Sequence, residues 1–580
     1  MVCDRISRKL AFNKQWFGTE RERQHCGSGV NMMRESFTKV KKLFARGCFD
    51  RGGQPRLFMI WFAFFAYAAS LALLLQFVVV PHLPAANNGG HGLMEPYDFT
   101  GFHANATKMV DAIHQRGWSA WELRPLDQGP VGMTALIYAL SWPEPWALIP
   151  VHASLHALAG LMLVMILERF VASRRVAVLC VLPFVLFPSA LAWYGQIHRE
   201  PYVIPGYFLF LWGWLRLLGS PAELRSNKSA NRGLLSIACG ATLVWIMRPY
   251  ASDFLRVYGA VFVMVAIVVW GRRRLTRACD QSQLVRGVTY SVAAFVFLWV
   301  LSQGPKIEKA FGPSGPIVTK ISTVVGFLQH VPKGPRGVQE ALPMKEWLPG
   351  GAPAKALPQP VPVVAPLPPP PPPPDIFAQS PEWQTTWWLP RSVDETFLII
   401  AKKRNGFCNS FPDARTAVDE DIRFHSAADV IRHIPRALQL ALFAPFPTQW
   451  FEGSDRGRPS AVSSWKRRAG AFEMVIVDFA LLFFPLALWS QRKRANMWVL
   501  ISFCTGMLMV HAFVINNIGT LYRFRYPFLM TFVAFGLAEF YAIVARKRTR
   551  KGVESNVDCD SFLGSSYLHS PKERPSVTSR

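Results

Sequence analysis

Residues 58–80 read FMIWFAFFAYAASLALLLQFVVV, an uncharged and strongly apolar run. A helix needs about 20 such residues to cross the hydrocarbon core of a bilayer. No water reaches that core, so the backbone must satisfy its own hydrogen bonds, as a helix does. The run is too long and starts too late for a cleavable signal peptide, and it is predicted to be a membrane anchor.

Similar runs recur along the chain and determine the fold class. Hydrophobic residues make up 51% of the 580 residues and are bunched into runs instead of being spread at amphipathic spacing. About ten transmembrane helices are predicted, at residues 58–80, 144–167, 176–193, 202–218, 233–247, 254–270, 287–303, 471–491, 496–517 and 525–545. The predicted fold class is an all-α integral membrane protein with an extended periplasmic loop region.

Basic residues are concentrated in alternate loops, such as residues 169–175, 272–277 and 492–494. The positive-inside bias places these loops in the cytoplasm, and an even number of spans then leaves both termini there. The net charge of +27 is therefore interpreted as membrane orientation and attraction to anionic membrane lipids. Nucleic acid is not an expected partner.

The spans divide the chain into segments of different character. The expected order is a basic cytoplasmic segment at 1–57, a transmembrane region at 58–303 with a first outside loop at 81–143, a large outside loop at 304–470, transmembrane helices at 471–545 and a disordered cytoplasmic tail at 546–580. Residues 358–374 end in seven consecutive prolines. This stretch is expected to be a stiff linker, because a proline run cannot pack as a helix or strand.

The first outside loop contains the motif EPYDFTGFH at residues 95–103. Asp98 lies there just beyond the first span, where a carboxylate can act as a general base or hold a divalent cation against a phosphate. His103 follows it on a predicted helix and is a candidate substrate contact. The alternative for Asp98 is a structural role at the helix N-terminus.

Two short outside turns carry further charged residues. His198, Arg199 and Glu200 lie between two apolar spans, where such groups are costly unless they face a polar cavity. Glu200 is a candidate second carboxylate, and Arg199 is a candidate phosphate ligand. Arg248 is a candidate substrate contact in the next turn. The alternative in both turns is an internal ion pair, such as one between Asp253 and Arg256 in the second.

The last predicted outside turn reads NNIGTLYRFRYPF at residues 516–528. Arg523 and Arg525 lie there on the side opposite the basic loops and so depart from the positive-inside bias. Guanidinium groups match phosphate oxygens in a bidentate way, and Tyr522 can pack on a lipid or a sugar ring. The alternative is anchoring of the helix end at the membrane interface.

Other motifs limit the function classes. His152 and His156 are four residues apart, which suits a metal on one helix face or simple packing in a bundle. The sequence contains neither a GxxxxGK[ST] phosphate loop nor a GxSxG nucleophile motif. P-loop ATPases and α/β-hydrolases are therefore not expected.

Taken together, this layout resembles the glycosyltransferase C superfamily, from about residue 58 to residue 544. These multi-span enzymes carry an acidic catalytic residue in the first outside loop and take sugar from a polyprenyl-phosphate carrier. The resemblance implies a bacterial inner-membrane hexosyltransferase of surface-polysaccharide synthesis, with a glycan or lipid acceptor.

The same resemblance implies roles for individual residues. Asp98 would be the catalytic carboxylate and Glu200 an auxiliary one, and Arg523 or Arg525 would contact the carrier phosphate. The remaining candidate substrate contacts are His103, His198, Arg199, Arg248 and Tyr522. Many members carry paired acids in the first loop, whereas Asp98 stands beside Phe99. The metal is unknown, and a divalent cation is the candidate cofactor.

Two other functions fit the sequence. A polysaccharide polymerase or ligase also uses lipid-linked sugar, and the large outside loop would suit a bulky acceptor. A transporter or assembly component without chemistry would instead show inverted repeats and charges near the membrane midplane.

Overall fold

A computed structural model describes residues 54–95, 98–303, 382–410, 416–419, 421–451 and 461–563. These residues form helices and contain no named β-strand. The proline-rich linker at 358–374 and nearly all of the basic N-terminal segment lie outside the described residues, as does the tail beyond residue 563.

Seventeen α-helices are present among the described residues. They are α1 Leu57–Leu74, α2 Asp98–Arg116, α3 Gly129–Leu140, α4 Ile149–Leu167, α5 Arg174–Leu186, α6 Pro188–Tyr194, α7 Glu200–Leu217, α8 Asn227–Met247, α9 Pro249–Leu275, α10 Gln281–Ser302, α11 Arg391–Ser410, α12 Ala427–Arg432, α13 Ile434–Phe443, α14 Pro447–Phe451, α15 Ala461–Gln491, α16 Ala495–Val514 and α17 Ile518–Leu563.

The structure confirms an all-α, multi-pass membrane architecture, with fewer clear spans than the ten predicted. Among the described residues, eight helices are long and apolar enough to cross a membrane, or nine if α5 and α6 form one bent span. These two helices meet at 67°. The bend falls at Phe187, whose backbone is extended because it precedes Pro188.

The predicted span at 202–218 corresponds to the helix α7, which includes Glu200 and Arg216 and is not one of the eight helices that are long and apolar enough to cross a membrane. Most of its residues are buried by neighbouring helices. A helix surrounded by protein in this way needs no apolar surface against lipid.

Close packing of α7 on α8 determines where the polar residues at their ends lie. A Cβ atom on Gly240 would lie 2.4 Å from the carbonyl oxygen of Gly206, and one on Gly213 would lie 2.6 Å from that of Gly233. Small residues allow two helix backbones to approach in this way. The order of the two pairs makes the helices antiparallel, so the start of α7 lies beside the end of α8.

The basic loops converge at one end of the bundle. Arg169 after α4 forms an ion pair of 2.6 Å with Glu223 between α7 and α8, and Arg494 before α16 donates to the carbonyl of Arg169 at 3.0 Å. Arg273 at the end of α9 donates to the carbonyl of Gly219. The start of α7 and the end of α8 are therefore at the opposite end from the basic loops.

The described part of the large loop packs on that opposite end. Arg404 of α11 donates to the carbonyl of Phe513 at 3.2 Å, and the amide of Val418 donates to the carbonyl of Asn516 at 2.8 Å. Helices α11 to α14 therefore form a cap over the junction between α16 and α17.

Candidate functional site

A buried carboxylate lies where α7, α8 and α17 meet. Glu200, the first residue of α7, is only 1% exposed. Its Oε1 accepts a hydrogen bond from Nη2 of Arg248 and lies 3.3 Å from Nε of Arg523, and its Oε2 contacts Nδ1 of His198. Three predicted site residues from separate stretches thus converge on Glu200.

Local sequence explains how two of these residues are presented. Arg248 is the last non-helical residue before α9, which starts with Pro249 because proline suits the first helical position. Arg523 lies in the second turn of α17. The Asn517 side chain caps this helix by accepting the Gly519 amide at 2.9 Å. The prediction of a turn at 516–528 is therefore wrong from Ile518 onward, because the helix begins at that residue.

Both ring nitrogens of His198 have close polar neighbours. Nη1 of Arg523 lies 2.6 Å from Nε2 of the imidazole. Arginine can only donate, so Nε2 accepts this hydrogen bond, and the backbone amide of Arg199 lies 2.9 Å from Nδ1. Burial lowers the pKa of His198 well below its usual range, and the charges of Arg523, Arg248 and Arg199 lower it further. The imidazole is therefore neutral at pH 7.

Aromatic rings form the walls of this cluster. The Arg248 guanidinium lies 3.7 Å from the ring centroid of Phe524, which is a favourable cation–π geometry. Phe99 of α2 packs edge-on against His198 with the ring centroids 5.5 Å apart. Sequence reasoning missed both contacts, which depend on the helices coming together.

Asp98 and Arg199 lie at the edge of the cluster. Arg199 donates to Oε1 of Gln128 and lies 5.8 Å from the ring centroid of Phe102. Burial lowers the pKa of Arg199 and Arg248 lowers it further, whereas the carboxylate of Asp98 opposes the shift. Asp98 is the exposed first residue of α2. The structure thus brings Asp98 and Arg199 to the same polar region.

Three predicted site residues have other partners. Nδ1 of His103 lies 2.9 Å from the Tyr138 hydroxyl, in a separate group of residues in the first loop. Tyr522 donates its hydroxyl proton to Glu473. Arg525 is fully buried and donates to the carbonyls of Leu440 and Ala441 at 2.8 Å, and to that of Ala444.

The contacts of Arg525 have a structural consequence. The last carbonyls of a helix have no partner within the helix. Arg525 supplies donors to these groups at the end of α13, so its side chain caps that helix. It contacts the cap of helices α11 to α14, whereas Arg523, two residues earlier, contacts Glu200.

Glu473 is a buried charged residue that the sequence reasoning overlooked. It is 0% exposed and accepts the amide proton of Ser189 at 2.7 Å as well as the hydroxyl of Tyr522. The sequence could have indicated this residue, because Glu473 lies inside the predicted span at 471–491 and a carboxylate within a span normally has a specific partner.

Among the described residues, no group of three or more His, Cys, Asp or Glu side chains is placed to hold a metal ion. His152 packs edge-on against Tyr202, and His156 stacks on Tyr194 at 4.4 Å between ring centroids. Both histidines therefore take part in core packing.

No protein-family model, curated protein or solved structure matches this chain. The fold and the site therefore define it only as an all-α, multi-pass membrane protein. Its buried, arginine-rich polar cluster lies at the end of the bundle opposite the basic loops.

Proposed function

We propose that this protein is a membrane glycosyltransferase, which moves a sugar from a polyprenyl-phosphate donor to a glycan or lipid acceptor on the periplasmic face. The observation that supports this is the charge of the cluster. Among the described residues, Arg248 and Arg523 contact one buried carboxylate, Glu200, and the charge of Arg199 interacts with those of both arginines. Buried charges need compensation, so this excess of positive charge favours an anionic ligand.

The arginines differ in how accessible they are. The Arg248 side chain is 2% exposed and bound to Glu200, whereas that of Arg523 is 25% exposed. Nε of Arg199 is buried and has no hydrogen-bond partner among the described residues. We therefore assign Arg199 and Arg523 to the donor phosphate, and Glu200 and Arg248 to positioning them.

Asp98 provides the proton acceptor in this proposal. The carboxylate takes the proton of the acceptor hydroxyl, whose oxygen forms a bond to the anomeric carbon of the sugar. The bond from that carbon to the phosphate oxygen breaks, and polyprenyl phosphate leaves with the bonding electron pair. Arg199 and Arg523 stabilise this anion in a site that is largely shielded from water.

The test compares Asp98→Asn with wild type in a strain from which the gene has been deleted. Asp111→Asn is the matched control, because Asp111 is also exposed on α2. Surface glycan is measured at equal amounts of protein in the membrane. Loss of glycan with Asp98→Asn alone supports the proposal, and unchanged glycan overturns it. Loss of long-chain glycan with retention of single-repeat glycan would instead identify a polymerase or ligase.

A further inference from the structure

The cap of helices α11 to α14 carries an open groove beside the junction of α12 and α13. Its volume is about 280 Å³. The groove is lined by Ile422, Arg423, Phe424, Asp429, Arg432 and His433. None of these residues contacts Glu200, so the groove is separate from the buried cluster.

His433 shows that the groove has an unmet hydrogen-bonding group. The residue is 7% exposed, and its Nε2 atom is buried without a hydrogen-bond partner among the described residues. Burial lowers the pKa of His433, and the charge of Arg404 lowers it further while Asp419 opposes the shift. The imidazole is therefore neutral at pH 7 and suits a hydroxyl group as its partner.

The remaining polar side chains make the groove positive. Arg423 and Arg432 both line it, and the Arg432 side chain is 82% exposed. Asp429 also lines the groove: its Oδ2 accepts the backbone amide and the hydroxyl of Ser426 at 3.0 Å, and its Oδ1 lies 4.0 Å from Nη1 of Arg432. The two arginines therefore exceed this carboxylate by one positive charge. Two guanidinium groups beside a neutral imidazole match a ligand that carries both a carboxylate and hydroxyl groups.

An exposed aromatic side chain, Trp387, belongs to a segment that is hydrogen-bonded to the chain beside this groove. The amide of Gln384 donates to the carbonyl of His425 at 2.7 Å, which ties the segment before α11 to the groove wall. Trp387 follows three residues later, within about 10 Å of chain reach, and is 93% exposed. Such a ring offers an apolar face against which a sugar ring can lie.

The groove is fixed relative to the buried cluster. His433 precedes α13 directly, and Arg525 binds the carbonyls at the other end of that helix. The ten residues of α13 span only about 15 Å. An oligosaccharide in the groove can therefore extend toward the start of α17, which carries Arg523.

We propose that this groove binds an acidic sugar of a glycan. Arg423 and Arg432 bind its carboxylate, Nε2 of His433 bonds a hydroxyl, and Trp387 lies against the sugar ring. The role of this glycan as the acceptor rests on the proposed transferase function, whereas its binding does not.

The experiment measures binding of trigalacturonate to the full chain in lipid nanodiscs by calorimetry, with neutral maltotriose as the comparison sugar. We expect trigalacturonate to bind and maltotriose to bind at least tenfold more weakly. Arg432→Gln should weaken trigalacturonate binding about tenfold or more. It should leave folding intact, because the side chain is exposed. Arg391→Gln is the matched control, with an exposed side chain in the same cap, and should bind like wild type.

Three results would overturn the inference. The first is equal binding of trigalacturonate by wild type and Arg432→Gln. The second is complete competition by inorganic phosphate at the same concentration, which indicates a simple anion site. The third is unchanged trigalacturonate binding in Trp387→Ala. Normal trigalacturonate binding together with unchanged glycan in Asp98→Asn would refute the transferase proposal and leave the groove assignment standing.

Discussion

Nε of Arg523 lies 3.3 Å from Oε1 of Glu200 and connects the second turn of α17 to the first residue of α7. The two side chains differ in exposure, at 25% for the arginine and 2% for the glutamate. Arg523 therefore forms the accessible edge of a cluster whose centre is buried. Glu200 acts as the anchor, because it also binds Arg248 and contacts His198.

Replacing the anchor should destabilise the protein. Glu200→Gln leaves Arg248 buried opposite a neutral amide, so we expect the free energy of unfolding to fall by roughly 3–5 kcal/mol. Denaturant unfolding in mixed micelles measures this loss. The double variant Glu200→Gln with Arg248→Met removes the uncompensated charge and should be more stable than the single variant. Wild-type stability of Glu200→Gln would show that the pair is not buried in the folded protein.

Arg525 should behave as a structural residue. Arg525→Gln removes charged donors from three carbonyls at the end of α13. We expect a loss of at least about 2 kcal/mol in unfolding free energy and faster proteolysis of the cap. Binding of polyprenyl phosphate by the folded fraction should be unchanged. Normal stability with lost binding would place Arg525 in the donor site instead.

The packing of α7 on α8 can be tested with two glycines. Gly240→Ala places a methyl group 2.4 Å from a backbone oxygen of α7, so the helices must move apart and the protein should lose stability. Gly271→Ala on α9 is the matched control, because its Cβ would meet no atom within 4 Å. The control should be neutral or more stable by about 0.5–1 kcal/mol, because alanine favours the helix. Equal stability of the two variants would contradict the close approach.

Acid should destabilise the folded protein through His198. The folded protein holds the imidazole of His198 neutral, whereas the imidazole takes up a proton near pH 6.5 in the unfolded chain. Below that pH the unfolded state binds more protons, so stability falls as the pH falls. From pH 7.5 to 5.5 the contribution is about 1.4 kcal/mol. His198→Asn should reduce the measured pH dependence of unfolding by that amount, and an unchanged dependence would show that His198 is not held neutral.

The sequence predicted the helical fold and the position of most spans, because hydrocarbon imposes helices on long apolar runs. It also located the turns that bring His198, Glu200 and Arg248 together, since charged residues between apolar spans are conspicuous. It did not predict the start of α17. That helix extends past its apolar part through an arginine- and tyrosine-rich turn capped by Asn517.

The different roles of Arg523 and Arg525 could not be predicted from the sequence. Residues two apart on a helix point in directions about 200° apart. Which direction faces the polar cluster depends on where α7 and α13 pack. The position of α13 depends on the large loop, whose contacts with α16 and α17 are formed by residues distant in sequence.

The most direct test of the central claim is the affinity of the purified protein for polyprenyl phosphate in nanodiscs, compared between wild type and Arg523→Gln. Arg256→Gln is the control, because Arg256 lies near the same end of the bundle and pairs with Asp253 at 3.4 Å. We expect Arg523→Gln to bind about 10-fold to 100-fold more weakly, as loss of a charged hydrogen bond implies, while the control binds like wild type. Equal affinity of wild type and Arg523→Gln would contradict a phosphate site in the arginine cluster.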